Sequence, residues 1–238
     1  MSKTNNYISL RGKNVFRIEA LSDAVFAISV TLLIMSLEVP NTYDELKAIM
    51  WEFLPFSLTI SIVFLIWWEQ NNFFRHYGLA DTKIKLLNLA LLIVVLFYVF
   101  PLKFLFSLLF YLLIDPGTQL IHGLESIYTI SAEDFPGLIL FFSTGYLLVW
   151  LIFFLLYKHI SHKALTLDLT PYEVIILKSD KRDALFQMSI GLLAAIAASL
   201  GWILMCQIIF LTIPFWLVLN WMITSRTKRR YKKALHGQ

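Results

Sequence analysis

The sequence predicts an all-α, polytopic membrane protein with six transmembrane helices, and three observations support this fold class. The 238 residues are 58% hydrophobic and only 15% charged, with a mean hydropathy of +0.71; soluble domains have about a quarter of their residues charged. Long apolar runs recur along the chain. The basic residues concentrate in alternate segments between those runs. Such a chain is expected in a lipid bilayer.

The apolar runs define the individual spans, because a helix that crosses a bilayer needs roughly 20 apolar residues. We treat residues 1–238 as a single six-span unit. The predicted spans cover residues 14–38, 48–70, 84–111, 136–157, 185–202 and 205–223. The last two spans come from one uncharged stretch in which Gly201 and Trp202 offer a turn. One long tilted helix is the alternative, but it would overshoot the bilayer.

The distribution of charge predicts the orientation of the chain. With both termini on one side, eighteen of the twenty Lys and Arg residues fall on that side, and Lys47 and Lys103 remain on the other. Basic loops are retained in the cytoplasm. We therefore expect a multi-pass protein of the plasma membrane with both termini cytoplasmic. Residues 224–238 form a basic tail that suits anionic lipid; no soluble domain accompanies it that would indicate nucleic-acid binding.

Residues that usually carry catalysis or bind metals are sparse. Cys206 is the single cysteine, so neither a disulfide within the chain nor a CxxC site can form. The five histidines are dispersed, and no Ser–His–Asp set, carboxylate pair or phosphate-binding loop stands at a persuasive position. The sequence predicts no enzyme, no metal site and no cofactor.

The first span has a charged and polar head followed by an uncharged run. Helical spacing places five of its residues on one stripe, which is apolar except for one hydroxyl. The stripe consists of Ala24, Ile28, Thr31, Leu32 and Met35. It could pack against another helix or line a pore, and its pattern alone does not decide. Asp23 points away from the stripe and needs donors from neighbouring helices, because a lone carboxylate in apolar surroundings would be neutralised.

The segment Arg17-Ile-Glu-Ala-Leu21-Ser22-Asp23 is similar to the signature of the transmembrane protein 175 family, the endosomal and lysosomal potassium channels and their prokaryotic relatives. The family pattern is Arg, three residues, then Phe-Ser-Asp, and this chain departs from it at Leu21. The following AVFAISVTLLIMSLEVP resembles the first helix of the family. The chain is identified as a prokaryotic six-span member.

Two further segments extend the resemblance. The second span ends in WWEQNNFF, where Asn71 and Asn72 stand in places that relatives often fill with histidines. The third span contains LLNLALLIVVLFYVFPLKF, with Asn88 and Pro101, and resembles the third helix of the family. Because asparagines do not titrate, pH sensitivity attributed to this region in relatives is not expected to carry over.

The resemblance implies a modestly selective, potassium-permeable channel that needs no cofactor beyond the permeant ion. It implies a homotetramer in which the first helices line the pore. The family's hydrophobic constriction falls on Ile28, its hydroxyl position on Thr31, and further apolar rings on Leu32 and Met35. A polar network is expected to hold the pore helices in register, with Trp68 as a further possible partner. The members of this polar network are Arg17, Ser22, Asp23, Asn71, Asn72 and Asn88.

Two alternatives to a channel remain at this point. The first is a secondary transporter of cations or protons, or a leak pathway; transporters usually carry midplane charges or broken helices, and the middles of these spans carry no charge. The second is a non-conducting scaffold, in which the first-helix stripe would be buried against its own chain.

Overall fold

The computed structural model describes residues 11–12, 15–36, 39–114 and 134–236. Every regular element in these ranges is an α-helix, so the predicted all-α fold with six helices is confirmed. The helices are α1 (Arg17–Met35), α2 (Tyr43–Tyr77), α3 (Thr82–Ile114), α4 (Phe135–His162), α5 (Pro171–Ser199) and α6 (Ile203–His236). The predicted limits of the first span, residues 14 and 38, lie outside the described residues.

Five of these helices, α1, α2, α3, α4 and α6, are long and apolar enough to cross a membrane by length and composition. The fifth helix does not meet that criterion because its first half carries the charged run Lys178–Asp183. It begins at Pro171, well before the predicted residue 185. Thr170 and Glu173 form a capping box around this start, and Pro171 occupies the first turn, where a missing N–H costs nothing.

The turn predicted at Gly201 and Trp202 is confirmed. The fifth helix ends at Ser199 and the sixth begins at Ile203. Gly201 adopts a φ of 74°, which suits a residue without a Cβ atom, and the Trp202 N–H donates to the Ala197 carbonyl over 2.9 Å. The alternative of one long helix is therefore wrong. The backbone of α6 remains helical through the predicted tail as far as His236.

The chain divides into two compact units, and α2 and α3 contribute to both. The α1 unit comprises residues 15–73 and 91–135, and the α5–α6 unit comprises residues 1–14, 74–90 and 136–238. In the α5–α6 unit, α4 and α5 approach each other closely at Gly191. A Cβ atom there would lie 2.9 Å from the Leu147 backbone, so glycine permits the close helix packing that small residues provide in membranes.

Candidate functional site

The first helix packs onto its own unit through a face of small and apolar residues. The Ser22 hydroxyl donates to the Ile18 carbonyl over 2.8 Å, and the Ser29 hydroxyl donates to the Val25 carbonyl over 2.9 Å. Both hydroxyls therefore find partners inside the helix, and the small serine side chains allow neighbouring backbones to approach. The buried residues of this face are Ser22, Phe26, Ser29 and Leu33.

The predicted pore stripe lies on another side of the same helix. On an ideal helix Ile28 is roughly 160° from Phe26, and its side chain is 52% exposed, whereas Leu33 is 0% exposed. The other stripe residues, Ala24, Thr31, Leu32 and Met35, are exposed as well. The stripe is thus not buried against its own chain, which disagrees with the interpretation of α1 as part of a scaffold packed within one subunit.

Thr31 contributes the one hydroxyl of the stripe. Its Oγ1 donates to the Ala27 carbonyl over 2.9 Å. A hydroxyl whose proton is engaged in this way presents only its lone pairs to other groups. The exposed oxygen of Thr31 can therefore accept a hydrogen bond or contact a cation.

Asp23 is held by an indole of the second helix. The Trp67 Nε1 donates to the Asp23 Oδ1 over 2.7 Å, and both residues belong to the α1 unit. The tryptophan that meets the carboxylate is thus Trp67, whereas its neighbour Trp68 was a predicted partner. This bond fixes α1 against α2 at this position.

The other residues of the predicted polar network are divided between the two units. Arg17 is exposed near the start of α1, and Asn71 and Asn72 are half-buried on α2 within the α1 unit. Asn88 is buried on α3 in the α5–α6 unit. Their joint action as one network stays a prediction.

An open groove of about 300 Å³ lies beside Asp23 within the α1 unit. Apart from the Asp23 carboxylate and the Trp67 indole, its walls are apolar. It is lined by Asp23, Phe26, Ala27 and Val30 of α1 and by Ile60, Val63, Phe64 and Trp67 of α2. The residues from α2 recur at helical spacing, so one stripe of α2 faces α1.

The far end of α1 is held by a lysine of the third helix. Lys103 Nζ donates to the Oγ of Ser36, the C-cap of α1, over 3.0 Å, and lies 3.4 Å from Glu52 Oε2 of α2. A lysine in an apolar run needs such partners, and that requirement was the signal in the sequence that could have pointed to this contact. The first helix is therefore contacted by α2 near Asp23 and by α3 at its C-cap.

A second polar cluster lies in the α5–α6 unit, at the connection before α3. Asp81 Oδ2 is 2.7 Å from His159 Nε2 and 2.7 Å from Lys163 Nζ, and Asp81 Oδ1 accepts from the Ile84 N–H over 2.9 Å. Burial alone raises the pKa of Asp81, but the hydrogen bonds from Lys163, His159 and the Ile84 backbone outweigh it. The net effect is a pKa well below the usual range of a carboxyl.

Comparison with known proteins identifies a family and relatives that this chain resembles. Residues 17–98 match the model of the family described as endosomal/lysosomal potassium channel TMEM175. A protein of Marivirga tractuosa named a potassium channel is 34% identical over 233 residues, which cover 95% of this chain and 94% of the relative. A potassium channel of Streptomyces collinus is 31% identical over 85 residues, covering 33% of this chain and 41% of that protein. The relatives are named as channels and not as enzymes, in agreement with the prediction of no enzyme.

Two solved structures share the fold. The crystal structure of a variant of the potassium channel MtTMEM175, in complex with a nanobody fusion protein, superposes with a TM-score of 0.82 at 32% identity, covering 93% of this chain and 98% of that one. A protein from Chamaesiphon minutus, described as a homologue of the lysosomal potassium-selective channel TMEM175, gives a TM-score of 0.52 at 21% identity over 86% of this chain and 96% of that one, a likeness in fold alone. With a relative 34% identical along nearly its whole length, this chain belongs to the TMEM175 family.

Proposed function

We propose that this chain is the subunit of a homotetrameric, potassium-permeable channel whose pore is lined by α1. Membership of the family and the names of the relatives support potassium as the permeant ion, with no cofactor required. The observation that carries the pore itself is the outward apolar stripe of α1, in which Ile28 is 52% exposed although the helix packs firmly on its other face. Four copies around an axis would cover this stripe.

Ile28 is proposed as the neck of the pore. Four isoleucine side chains meeting at an axis make an apolar constriction that excludes water when it is narrow and conducts when it widens. Potassium releases its hydration water more easily than sodium, so a neck that partly dehydrates the ion favours potassium. Leu32 and Met35 would continue the apolar wall beyond the neck.

Thr31 is proposed to compensate part of the lost hydration. It lies three residues from Ile28, which corresponds to about 4.5 Å along the helix axis. Because its proton is donated to Ala27, four Thr31 oxygens would present lone pairs to an ion in the neck. Four hydroxyls do not rebuild a full hydration shell, so the selectivity for potassium is modest.

The polar residues around the head of α1 are proposed to hold the pore helices in register. The bond between Asp23 and Trp67 ties α1 to α2 within one subunit and supports this role. Arg17, Ser22, Asn71, Asn72 and Asn88 are proposed as the remaining members of the network. The tetramer is proposed to lie in the plasma membrane with both termini in the cytoplasm and residues 224–238 near anionic lipid, as the charge distribution favours.

Bi-ionic reversal potentials of the purified protein in liposomes test the channel and the neck together. We expect a potassium-preferring current from the wild type, and a larger but less selective current from Ile28→Asn because a polar side chain hydrates the neck. Ile34→Asn is the matched control: Ile34 is also 52% exposed on α1 but lies roughly 120° around the helix, so its permeability ratio should stay at the wild-type value.

Three outcomes of this experiment would contradict the proposal. Unchanged current and selectivity in Ile28→Asn would reject Ile28 as the neck. Saturable, coupled exchange in place of a current that varies linearly with voltage would indicate a transporter. A purified protein with the mass of a single subunit would exclude the tetrameric pore.

A further inference from the structure

We propose that Arg11 is a positioning residue for the pore helix. Its side chain and the backbone around it clamp the segment that leads into α1 onto the end of α2 and the connection between α4 and α5. This inference rests on the proposed function, because it matters to conduction only if α1 lines the pore. All contacts of the clamp lie inside the α5–α6 unit.

The guanidinium of Arg11 binds three acceptors at once. Its Nη1 donates to the Leu167 carbonyl, and its Nη2 donates to the Asp168 carbonyl over 2.8 Å and to Glu173 Oε2 over 3.1 Å. The Arg11 side chain is 25% exposed and that of Glu173 only 6%. Charge-assisted bonds of a planar guanidinium in such a partly buried place fix both position and orientation.

The acceptors are themselves held in place by the start of α5. Asp168 adopts a φ of 46° in a turn between α4 and α5. The Leu169 N–H closes this turn by donating to the Ala164 carbonyl over 3.2 Å. The turn carries the two carbonyls that accept from Arg11. Glu173 Oε2 also accepts from the Thr170 N–H over 2.8 Å. The same carboxylate therefore caps α5 and anchors Arg11, which makes the clamp rigid.

Two glycines let the backbone of the leading segment approach α2. The Gly12 N–H donates to the Arg75 carbonyl over 3.2 Å, and a Cβ atom on Gly12 would lie 2.6 Å from the Phe74 carbonyl oxygen. Gly78, with a φ of 56°, would place a Cβ atom 2.7 Å from the carbonyl carbon of Arg11. Neither approach is open to a larger residue, so the segment is fixed by its backbone as well as by its side chain.

The clamp restricts the pore helix because the connecting chain is short. The four residues 13–16 separate Gly12 from Arg17, the first residue of α1, and the five steps from Gly12 to Arg17 span at most about 18 Å when fully extended. The start of α1 is therefore tethered to the clamp by this short connection. The width of a neck at Ile28 decides how far an ion is dehydrated. Such a neck needs a tethered α1, because fluctuations of the helix would change the diameter of the neck.

Recordings from liposomes containing the purified full chain test this role through selectivity. We expect Arg11→Gln to fold and assemble, to lower the potassium-to-sodium permeability ratio at least twofold and to raise the variance of the open-channel current. The permeability ratio of Arg11→Lys should fall between those of this variant and the wild type, because an ammonium group keeps the charge but lacks the planar set of donors of a guanidinium. Lys85→Gln removes one positive charge from an exposed position on α3, outside the clamp, and should match the wild type.

The outcomes separate this inference from the proposed channel. A conducting wild type together with an assembled Arg11→Gln protein of unchanged ratio and variance would overturn the role of Arg11 alone. If Arg11→Gln does not assemble, Glu173→Gln takes its place. Its amide oxygen can still accept from the Thr170 N–H but lacks the charge that holds Arg11. An unchanged permeability ratio in Glu173→Gln would likewise overturn the role of Arg11. Failure of both variants to assemble would assign Arg11 to folding and overturn the inference. A wild type without potassium current would overturn the proposed function, and this inference with it.

Discussion

A cysteine at position 28 should react with a charged thiol reagent that cannot enter lipid, and cysteines at two other apolar positions should not. Ile28 and Leu33 lie on the same helix but are 52% and 0% exposed, and Phe215 on α6 is 74% exposed. In the proposed channel Ile28 faces water, Leu33 faces its own subunit and Phe215 faces lipid. A side chain that is exposed in the isolated chain can face either water or lipid. The charged reagent distinguishes the two because it reaches only thiols that face water.

The expected difference in rate follows from the cost of charge in hydrocarbon. Moving a charged group to the centre of a bilayer costs about 3 kcal/mol or more, and every 1.4 kcal/mol corresponds to about a factor of ten. Ile28→Cys should therefore react at least about 100-fold faster than Phe215→Cys. Leu33→Cys should be slow for a different reason, because its side chain is covered by neighbouring helices of the same chain.

Mass spectrometry of the protein in liposomes measures the rate of modification, and the potassium current is recorded in parallel. A positively charged adduct at position 28 should reduce the current of Ile28→Cys. The wild type is the background control because its native thiol, Cys206, is 1% exposed. Equal rates for positions 28 and 215 would show that the stripe faces lipid. Equal rates for positions 28 and 33 would show that the faces of α1 are assigned wrongly.

Two further predictions concern the stability of the subunit in detergent. Gly191→Val should lower the free energy of unfolding by about 1–3 kcal/mol, because its Cβ atom would lie 2.9 Å from the Leu147 backbone, whereas Gly137→Val, with no atom within 4 Å of its Cβ, should change little. Asp81 has a depressed pKa, so the unfolded state binds its proton more readily and stability falls as the pH drops below about 3.9. Asp81→Asn should flatten the dependence of the melting temperature on pH in that range, and parallel curves for variant and wild type would contradict this.

The number and type of the helices followed from the sequence because uncharged runs of this length leave few other options. The start of α5 was missed because a hydropathy criterion stops at the charged run Lys178–Asp183, although such a run does not interrupt a helix. The signal that marks the true start is local: Thr170, Pro171 and Glu173 have the spacing of a capping box. Capping residues were therefore a better guide to this boundary than hydropathy.

The partners of polar side chains were harder to predict than the helices. Trp67 and Trp68 differ by about 100° around α2, and which of them meets Asp23 depends on the rotation of the whole helix. The clamp on Arg11 has two backbone carbonyls among its acceptors, and a carbonyl has no sequence signature. The glycines at positions 12 and 78 are the residues in the sequence that indicate such a close approach of the backbone.

The two faces of α1 explain why an apolar pattern alone could not identify its role. Lipid tails are as apolar as leucine, so a stripe of large apolar residues does not reveal its partner, whereas small residues do mark close packing between helices. Ser22 and Ser29 lie seven residues apart on the buried face and bring α1 close to its own subunit. Ile28 projects from the other face. In the proposed channel the neck therefore depends on the serines as much as on the isoleucine, because only a helix held close to its subunit can keep a large side chain at a constant distance from the pore axis.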